Sequence, residues 1–541
     1  MNRWARAALA LAIIVWIELL GFRGLYNPDE GRYAEIPREM LATGDWVIPH
    51  LNGLIYIEKP PLQYWATAVS YAIFGQSDWS ARLYAGLCGL ATVLASAWLA
   101  RRLWGQAAAW RSGLILGSSL LILLMSHQLT LDMSLTLFTT LTLVGFCVAQ
   151  LAETPERMRG RWMCLAWASA AAGFLTKGLV VGVLPVLALI GYSLLARDLK
   201  PWRRLYPVRG IALFVVLAGP WFALIQHRLP SFFGFFVVRE HFQRYLTLIE
   251  ERYQPWWFFL PVLAAGSLPW IVPMLRGLVS GWRAQRPAGE FDARRLLWVW
   301  SAVVLLFFSV SDSKLIPYIL PMMPALALLA GSSAERALKS DLRWTSWGLI
   351  LAGIALALGA GLLPRLLHDP SRAPYFLALR PPLITMAIAC LAGGLAAHKL
   401  RERATPLTAC VAATGFTFFA CLSWAASLLD PIYSGASLAA QLPPELRAAA
   451  PVYSVRTYDQ SLTFYLGRPV TLVDWRGELD FGLTLAPERG IAKLAEFAPR
   501  WLAETQALAV MEPQTYSALS KQGLPMVLRA QAPRELIVSR R

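Results

Sequence analysis

A polytopic bundle of membrane-spanning α-helices is the fold class this sequence predicts, and three observations predict it. Of 541 residues, 57% are hydrophobic and only 15% are charged, where a soluble chain carries roughly a quarter. Apolar runs of about 18 residues or more recur along the chain, each long enough to cross a hydrocarbon core. The basic residues concentrate in alternate loops, the pattern that keeps positive charge on the inner side of a membrane.

The apolar runs give about 13 transmembrane helices, at about 7–23, 80–100, 108–127, 132–151, 162–177, 179–196, 209–227, 256–275, 295–311, 315–334, 345–364, 382–398 and 406–428. The first is too long, and lacks the small-residue cleavage site, to be a removable signal peptide. The segments RRLWGQAAAWR, ETPERMRGR, RDLKPWRRLYPVR, RGLVSGWRAQRPAGEFDARR, ERALKSDLR and HKLRER are all basic. Every one falls on the same side if Met1 starts inside, so the N-terminus is predicted in and the C-terminus out. The net charge of +17 therefore reports topology, and no nucleic-acid partner is expected. The six cysteines lie in apolar segments without metal-ligand spacing and read as small buried hydrophobes.

The other side carries different material. DEGRYAEIPREMLA reads as a short helix lying at the membrane surface, with Asp29 in its first turn, where the helix dipole favours an acid. Glu35, Arg38 and Glu39 read as charges that keep such a helix wet. TGDW turns the chain, and after IYIEKPP the run LQYWATAVSYAIFG reads as a second interfacial helix, so interfacial helices occupy about 28–76. The transmembrane domain is expected to span 1–428. Residues 429–541 read as a small C-terminal α/β domain: PVYSV, PVTLV, ALAVM and MVLRA look like short strands, with helical stretches between them. It has no Gly-rich phosphate fingerprint and no assigned chemistry.

Polar groups gather at the outer ends of the spans. Asp29, Arg32 and Tyr33 fall at i, i+3 and i+4 on one helix face. Glu58 and Lys59 precede Pro60-Pro61, which stiffens the backbone. Asp132 lies at the mouth of a span. Arg239, Glu240, His241 and Arg244 cluster in VVREHFQRY, and Asp312 and Lys314 share a tight turn. Lys177 lies near the outer end of its span, where it either faces phosphate or snorkels. Ionisable groups at the edge of a low-dielectric medium are costly and usually functional. Blander readings exist for each. Asp29 after Asn27-Pro28 is ordinary helix-start chemistry, Glu58-Lys59 an exposed pair of little worth, Asp132 a cap, and His241 a satisfied interfacial histidine. His50, His127 and His368 have no partner spacing.

The order of these residues carries a resemblance. DEGRYAEIPREMLATGDWVIPHLNGLIYIEKPPLQYW, then TKG, REHFQRY, AGSLPW and FFSVSDSKLIPYILP, resembles the bacterial 4-amino-4-deoxy-L-arabinose lipid A transferases, and more broadly the protein O-mannosyltransferase-like group of GT-C glycosyltransferases. It covers roughly residues 20–330 and fades in the later spans and the C-terminal domain. The resemblance implies a GT-C fold in the bacterial inner membrane, with the active site facing the periplasm. It implies an inverting transfer of aminoarabinose from undecaprenyl phosphate to a lipid A phosphate, giving resistance to cationic peptides such as polymyxin. By motif, Asp29 would be the catalytic carboxylate and Asp132 the second acidic position.

The chemistry such a reaction needs fits the residues. Negative charge grows on the leaving phosphate, and preformed cations stabilise it. Lys59 and Arg32 are the first candidates, Arg244 and Lys314 the next. Tyr33, Tyr56 and Tyr318 can hydrogen-bond phosphate or sugar, and Glu58, Glu240 and His241 complete the expected substrate-binding set. No metal is required. A divalent cation held by Glu58 and a nearby histidine is an option some GT-C enzymes use, although the segment has no HExxH or DxD motif. The expected partners are the lipid-linked donor, the lipid A acceptor and membrane lipids, with the chain a monomer. The competing readings are a related polyprenyl-phosphate-sugar transferase acting on a protein or glycan, and a lipid transporter, which would place its charges near the midplane and commonly in repeated halves.

Overall fold

Long apolar helices make up most of the chain in the computed structural model, which describes residues 3–236, 253–283, 290–367 and 372–540. The bundle begins with α1 (Arg3–Glu18), passes through the charged α2 (Asp29–Thr43) and the aromatic α3 (Leu62–Phe74), and continues with α4 (Asp78–Trp104), α5 (Gln106–Gly117), α6 (Leu120–Ser126), α7 (Asp132–Gln150), α8 (Glu156–Lys177), α9 (Val180–Ala196) and α10 (Pro207–Arg228). After residues outside the described set come α11 (Phe259–Gly266), α12 (Ile271–Arg283), α13 (Ala293–Val310), α14 (Met323–Gly331), α15 (Glu335–Leu366), α16 (Arg380–Lys399) and α17 (Ala404–Ser427).

Among the described residues, seven helices are long and apolar enough to cross a membrane, and nine if each of two bent pairs is one span. The expected count of thirteen differs because hydropathy does not see bends or charged first turns. The α5–α6 pair bends by 63° and the α11–α12 pair by 113°. At the first break the Ser118 and Ser119 hydroxyls donate to the carbonyls of Leu114 and Ile115, both at 2.6 Å, the back-bonding that bends helices. At the second stands Pro269, which has no N–H to continue the ladder. Helix α8 opens on Glu156, Arg157, Arg159 and Arg161, so its polar first turns dilute an apolar remainder.

Local chemistry sets the helix ends near the site. Ser77 and Ser80 form a reciprocal capping box at the start of α4, with N–H to hydroxyl distances of 3.0 and 3.1 Å, and Arg101 and Arg102 occupy its last turn, where cations suit the dipole. Helix α2 starts on Asp29 and Glu30 and stops at Gly44, whose φ of 72° is the left-handed cap that glycine adopts without strain.

A short antiparallel hairpin, β1 (His50–Leu51) and β2 (Leu54–Ile55), turns through Asn52-Gly53. The C-terminal region forms a six-stranded mixed sheet from β3 (Val452–Val455), β4 (Thr471–Val473), β5 (Gly490–Ile491), β6 (Leu508–Met511), β7 (Val527–Gln531) and β8 (Leu536–Ser539), in the order β5-β4-β3-β6-β8-β7. Strands β5, β4, β3 and β6 run parallel, and β8 and β7 add antiparallel. The loops leaving the carboxyl ends of β3 and β4 lead into a short helix, α18 (Gln460–Leu466), and a 3₁₀ turn at Gly477–Leu479. Carboxyl ends of parallel strands are where open α/β sheets place ligands. Here they press on α2. One apolar cluster joins Leu25, Tyr33, Ile36 and Met40 to Leu438, Leu462, Leu472 and Leu508, and a Cβ on Gly31 of α2 would strike the backbone of Gln460 and Ser461.

This packing corrects one expectation. Every α2 residue from Glu30 to Met40 is buried, so Glu35, Arg38 and Glu39 do not keep a surface helix wet. Arg38 donates to both Glu35 oxygens at 2.6 Å, and both Glu39 oxygens accept the Gly53 N–H, at 2.9 and 3.1 Å.

The start of α2 is fixed by a buried ionic knot. Glu30 is fully buried. It accepts from Arg82 Nε at 2.7 Å and Nη2 at 3.0 Å, from the backbone N–H groups of Tyr26 and Leu129, and from Arg23. Arg82 in turn donates to the carbonyls of Leu20, Arg23 and Gly24. Removing one partner of a buried pair leaves an uncompensated charge, at about 3–5 kcal/mol. Glu30→Ala is therefore expected to lower the thermal midpoint measured by size-exclusion chromatography in detergent; an unchanged midpoint would refute this account of the knot.

Candidate active site

Asp29 opens α2 next to the knot, with its side chain 49% exposed. One turn on, Arg32 is buried and bridges three groups. Its Nη2 lies 3.5 Å from Asp29 and 2.8 Å from Glu478, and its Nη1 donates to the Tyr56 hydroxyl at 3.0 Å. Burial alone would weaken its charge; Tyr56, Glu478, Tyr33 and Asp29 outweigh burial and hold the guanidinium above its ordinary pKa. Tyr33 stacks on Tyr64 with centroids 6.0 Å apart. Burial raises its phenol pKa, and the carboxylates of Asp29 and Asp132 both add to that rise. Tyr33 thus feels the charge of both acids. Burial likewise raises Tyr56, with Glu58 contributing.

Asp132 opens α7 in the position after the N-cap residue Leu131. It pairs with Lys177, the last residue of α8, whose ammonium sits 4.8 Å from the centre of the Tyr318 ring. Lys177 therefore does not stand apart. It joins Asp132 to Tyr318 in a second ionic group.

Lys59 turns its ammonium to the Glu58 carbonyl at 3.0 Å. Lys314 is buried and donates to the Gln254 carbonyl at 2.7 Å, held there by a bridge between Tyr253 and Ser313; desolvation lowers its pKa. Arg239, Glu240, His241 and Arg244 lie outside the described residues. His127 is structural, its ring nitrogens 2.7 and 2.9 Å from the carbonyls of Leu123 and Trp16.

Two residues escaped the sequence reading. Glu478 comes from the C-terminal sheet region and meets Arg32, while Gln460 donates to its other oxygen at 2.6 Å. No local pattern in RGELD signals this, since the contact exists only once the sheet docks. Arg82 carried a signal, an arginine inside the apolar run of α4, which is the mark of a buried partner.

No group of three or more His, Cys, Asp and Glu is placed to hold a metal among the described residues, so no histidine there joins Glu58 in such a group.

Two families match the chain in separate parts: dolichyl-phosphate-mannose-protein mannosyltransferase over residues 58–223 and the aminoarabinose transferase C-terminal domain over 438–540. The undecaprenyl phosphate-alpha-4-amino-4-deoxy-L-arabinose arabinosyl transferase of Aeromonas salmonicida is 31% identical over 94% of this chain and 92% of its own length. That of Pseudomonas paraeruginosa is 32% identical over 90% of this chain and 88% of its own. The crystal structure of ArnT from Cupriavidus metallidurans bound to undecaprenyl phosphate superposes with a TM-score of 0.91 at 34% identity, covering 99% of this chain and 98% of that one.

Apolar helices enclosing an acidic and cationic cluster at their ends, in this fold, define a lipid-linked glycosyltransferase of the membrane. The chain belongs to the undecaprenyl phosphate-aminoarabinose arabinosyl transferase family.

The buried acids of α2 give the site a pH signature. Burial and the neighbouring Glu35 raise Glu39 from an ordinary 4.5 to about 8, against the pull of the Gly53 N–H and Arg38. A carboxyl raised on folding keeps a proton that the unfolded chain has released, so its contribution falls as pH rises between those two values. Thermal stability is expected to decline from pH 5 to pH 8. Glu39→Gln, which keeps the acceptor for Gly53, should flatten the decline; an unchanged slope would remove Glu39 as its source.

Proposed function

We propose that this chain moves 4-amino-4-deoxy-L-arabinose from undecaprenyl phosphate to a phosphate of lipid A, at the periplasmic face of the bacterial inner membrane. The observation that carries the reading is the half-exposed carboxylate of Asp29 beside the buried guanidinium of Arg32, at 3.5 Å, in a chain whose fold matches a structure solved with undecaprenyl phosphate over nearly its whole length.

An oxygen of the acceptor phosphate attacks the anomeric carbon. The bond from that carbon to the undecaprenyl phosphate oxygen breaks, configuration inverts, and the donor leaves as a phosphate monoester. A phosphate monoester has its second pKa near 6, so Asp29 takes at most one residual proton and otherwise orients the nucleophile. Asp132 holds Lys177 at the same site. Charge on the leaving phosphate is stabilised by cations already in place. Lys59 and Arg32 fill that role, with Lys314, Arg244, Glu240 and His241 in the wider substrate-binding set. Tyr33, Tyr56 and Tyr318 present hydroxyls and ring faces to sugar and phosphate, and Glu58 shapes the field on Tyr56.

In this reading α1, α8, α9 and α14 join the nine spans to give thirteen crossings, the N-terminus lies inside, and the sheet region from about 429 onward sits in the periplasm over α2. Lipid A bearing the aminosugar is less anionic, which gives resistance to cationic peptides.

Mass spectrometry of lipid A from cells expressing the chain is expected to show a pentosamine addition. Asp29→Asn should abolish it, with a loss of at least about a hundredfold for a positioned acid–base group, while protein level and membrane insertion stay as in the parent. Wild-type turnover by Asp29→Asn would remove Asp29 from the mechanism. Lys59→Ala should weaken undecaprenyl phosphate binding about tenfold, the worth of one charge-assisted contact; unchanged affinity and rate would exclude Lys59 from phosphate binding.

A further inference from the structure

A cavity of about 480 Å³ lies away from Asp29 and Asp132, between the bend of α11–α12 and helices α15, α16 and α17. Its size is ordinary for a ligand site, roughly 300–1,000 Å³. Leu268 and Val272 form one wall, Phe418 another, and α15 supplies Trp344, Gly348 and Gly359. From Trp344 to Gly359 the helix rises about 22 Å, comparable with one lipid tail and longer than the roughly 15 Å of a single leaflet's hydrocarbon.

An ion pair lies one helical turn beyond the lining of the slot. One turn beyond Val272, Arg276 places Nη1 2.7 Å from Asp341 Oδ1, with its own side chain 46% exposed and that of Asp341 almost fully buried. Neither Asp341 oxygen accepts a well-aligned hydrogen bond. Arginine carries five N–H donors, so one carboxylate oxygen near Nη1 leaves donors facing outward. Asp341 falls on the face of α15 that lines the slot, one turn before Thr345. This end of the bundle is the one opposite the active site: α15 starts where Arg111 donates to the Ser333 carbonyl at 3.0 Å, beyond the far end of α4 from Ser77.

The wall is shaped for an occupant. A Cβ on Gly348 or on Gly359 would meet no atom within 4 Å, so both glycines face open space along the slot. An apolar channel one tail long, at membrane depth, ending on a half-exposed guanidinium, is complementary to a single chain of an anionic lipid.

We propose that this slot holds one acyl chain of an anionic glycerophospholipid whose phosphate rests on Arg276. The lipid is a resident of the bundle, separate from the two substrates. Its chain fills the space left by the 113° bend at α11–α12, where the helix ladder is broken and side chains alone do not close the packing.

The test is native mass spectrometry of the full chain, reconstituted in vesicles of phosphatidylglycerol and phosphatidylethanolamine with a tenth of undecaprenyl phosphate, then extracted in mild detergent. The parent should retain one phospholipid, with phosphatidylglycerol preferred. Gly348→Leu with Gly359→Leu should cut the lipid-bound fraction at least tenfold. Gly361→Leu is the matched control: it lies on α15, its Cβ also meets nothing within 4 Å, and it does not line the slot, so retention should be unchanged. Arg276→Gln with Asp341→Asn removes both charges together, leaving none buried alone. It should keep a lipid but lose about fivefold in preference for phosphatidylglycerol, the worth of one basic side chain at an anionic headgroup. Undiminished retention in the double leucine variant, equal loss in Gly361→Leu, or preferential retention of undecaprenyl phosphate would each overturn the proposal, the last by making the slot a donor site.

Discussion

The ion pair between Glu30 and Arg82 is the constraint on which the site depends. Arg82 projects from the second turn of α4, a span, and Glu30 from the first turn of α2, a helix that carries more charge than apolar surface. Two charged groups leave water only if nearly all their hydrogen-bonding capacity is met, and here it is: Glu30 accepts from two guanidiniums and two backbone amides, while Arg82 also donates to three carbonyls. Burial alone would raise the Glu30 carboxyl, but Arg23 and Arg82 outweigh it and hold its pKa well below the usual carboxylate range. The knot thus remains ionised at any physiological pH and sets where α2 begins. Asp29 is the residue just before it, so its placement follows from the knot: one acid of the adjacent pair is locked inward and the other is turned toward solvent.

The sheet region completes what the knot begins. A helix with charges on every face has no stable place at an apolar boundary unless something covers its far side. The elements after β3 and β4 do this, close enough that Gly31 admits no side chain against Gln460 and Ser461. The same approach brings Glu478 to Arg32. Burial raises the Glu478 carboxyl while Arg32 and Gln460 pull it down, so its charge state is tied to whatever Arg32 is bound to. The C-terminal region is thereby part of the site's electrostatics as well as its roof.

Much of this was legible in the sequence, for reasons that differ residue by residue. Asp29, Arg32 and Tyr33 share a face because a helix of period 3.6 puts i, i+3 and i+4 together, and that local geometry survives folding. Apolar runs announce helices, but two of them bend at Ser118-Ser119 and at Pro269, where hydropathy is blind and only hydroxyl and proline chemistry speaks. Glu35, Arg38 and Glu39 were misread as solvated because a local pattern does not show what will cover a helix. Glu478 was invisible for the same reason. Its partner lies at the other end of the chain, and only sheet docking joins them. Lys177 is legible as a cation near the outer end of its span, but its pairing with Asp132 needs the packing of α7 on α8.

The arrangement also explains how such a site tolerates cations before an anionic substrate arrives. Arg32 is held by Glu478 and Asp29, and Lys177 by Asp132 with the Tyr318 ring beneath it. A lone buried guanidinium or ammonium would be costly in this medium, and the paired carboxylates offset that cost in the empty state. A phosphate entering between them offers more oxygen acceptors and up to two charges, so it competes with a carboxylate for the same donors. On the proposed function, the exchange would leave a displaced carboxylate beside the substrate, where it either takes a proton or turns to the sugar's own polar groups. Asp29 is the acid best placed for release, since its contact with Arg32 is the longer one and its side chain is half open. Glu478, held at 2.8 Å and also bonded by Gln460, is placed to stay. On the proposed function, the two contacts of one arginine would separate an acid free to turn from a fixed one, the division of roles that proton transfer beside a held phosphate requires.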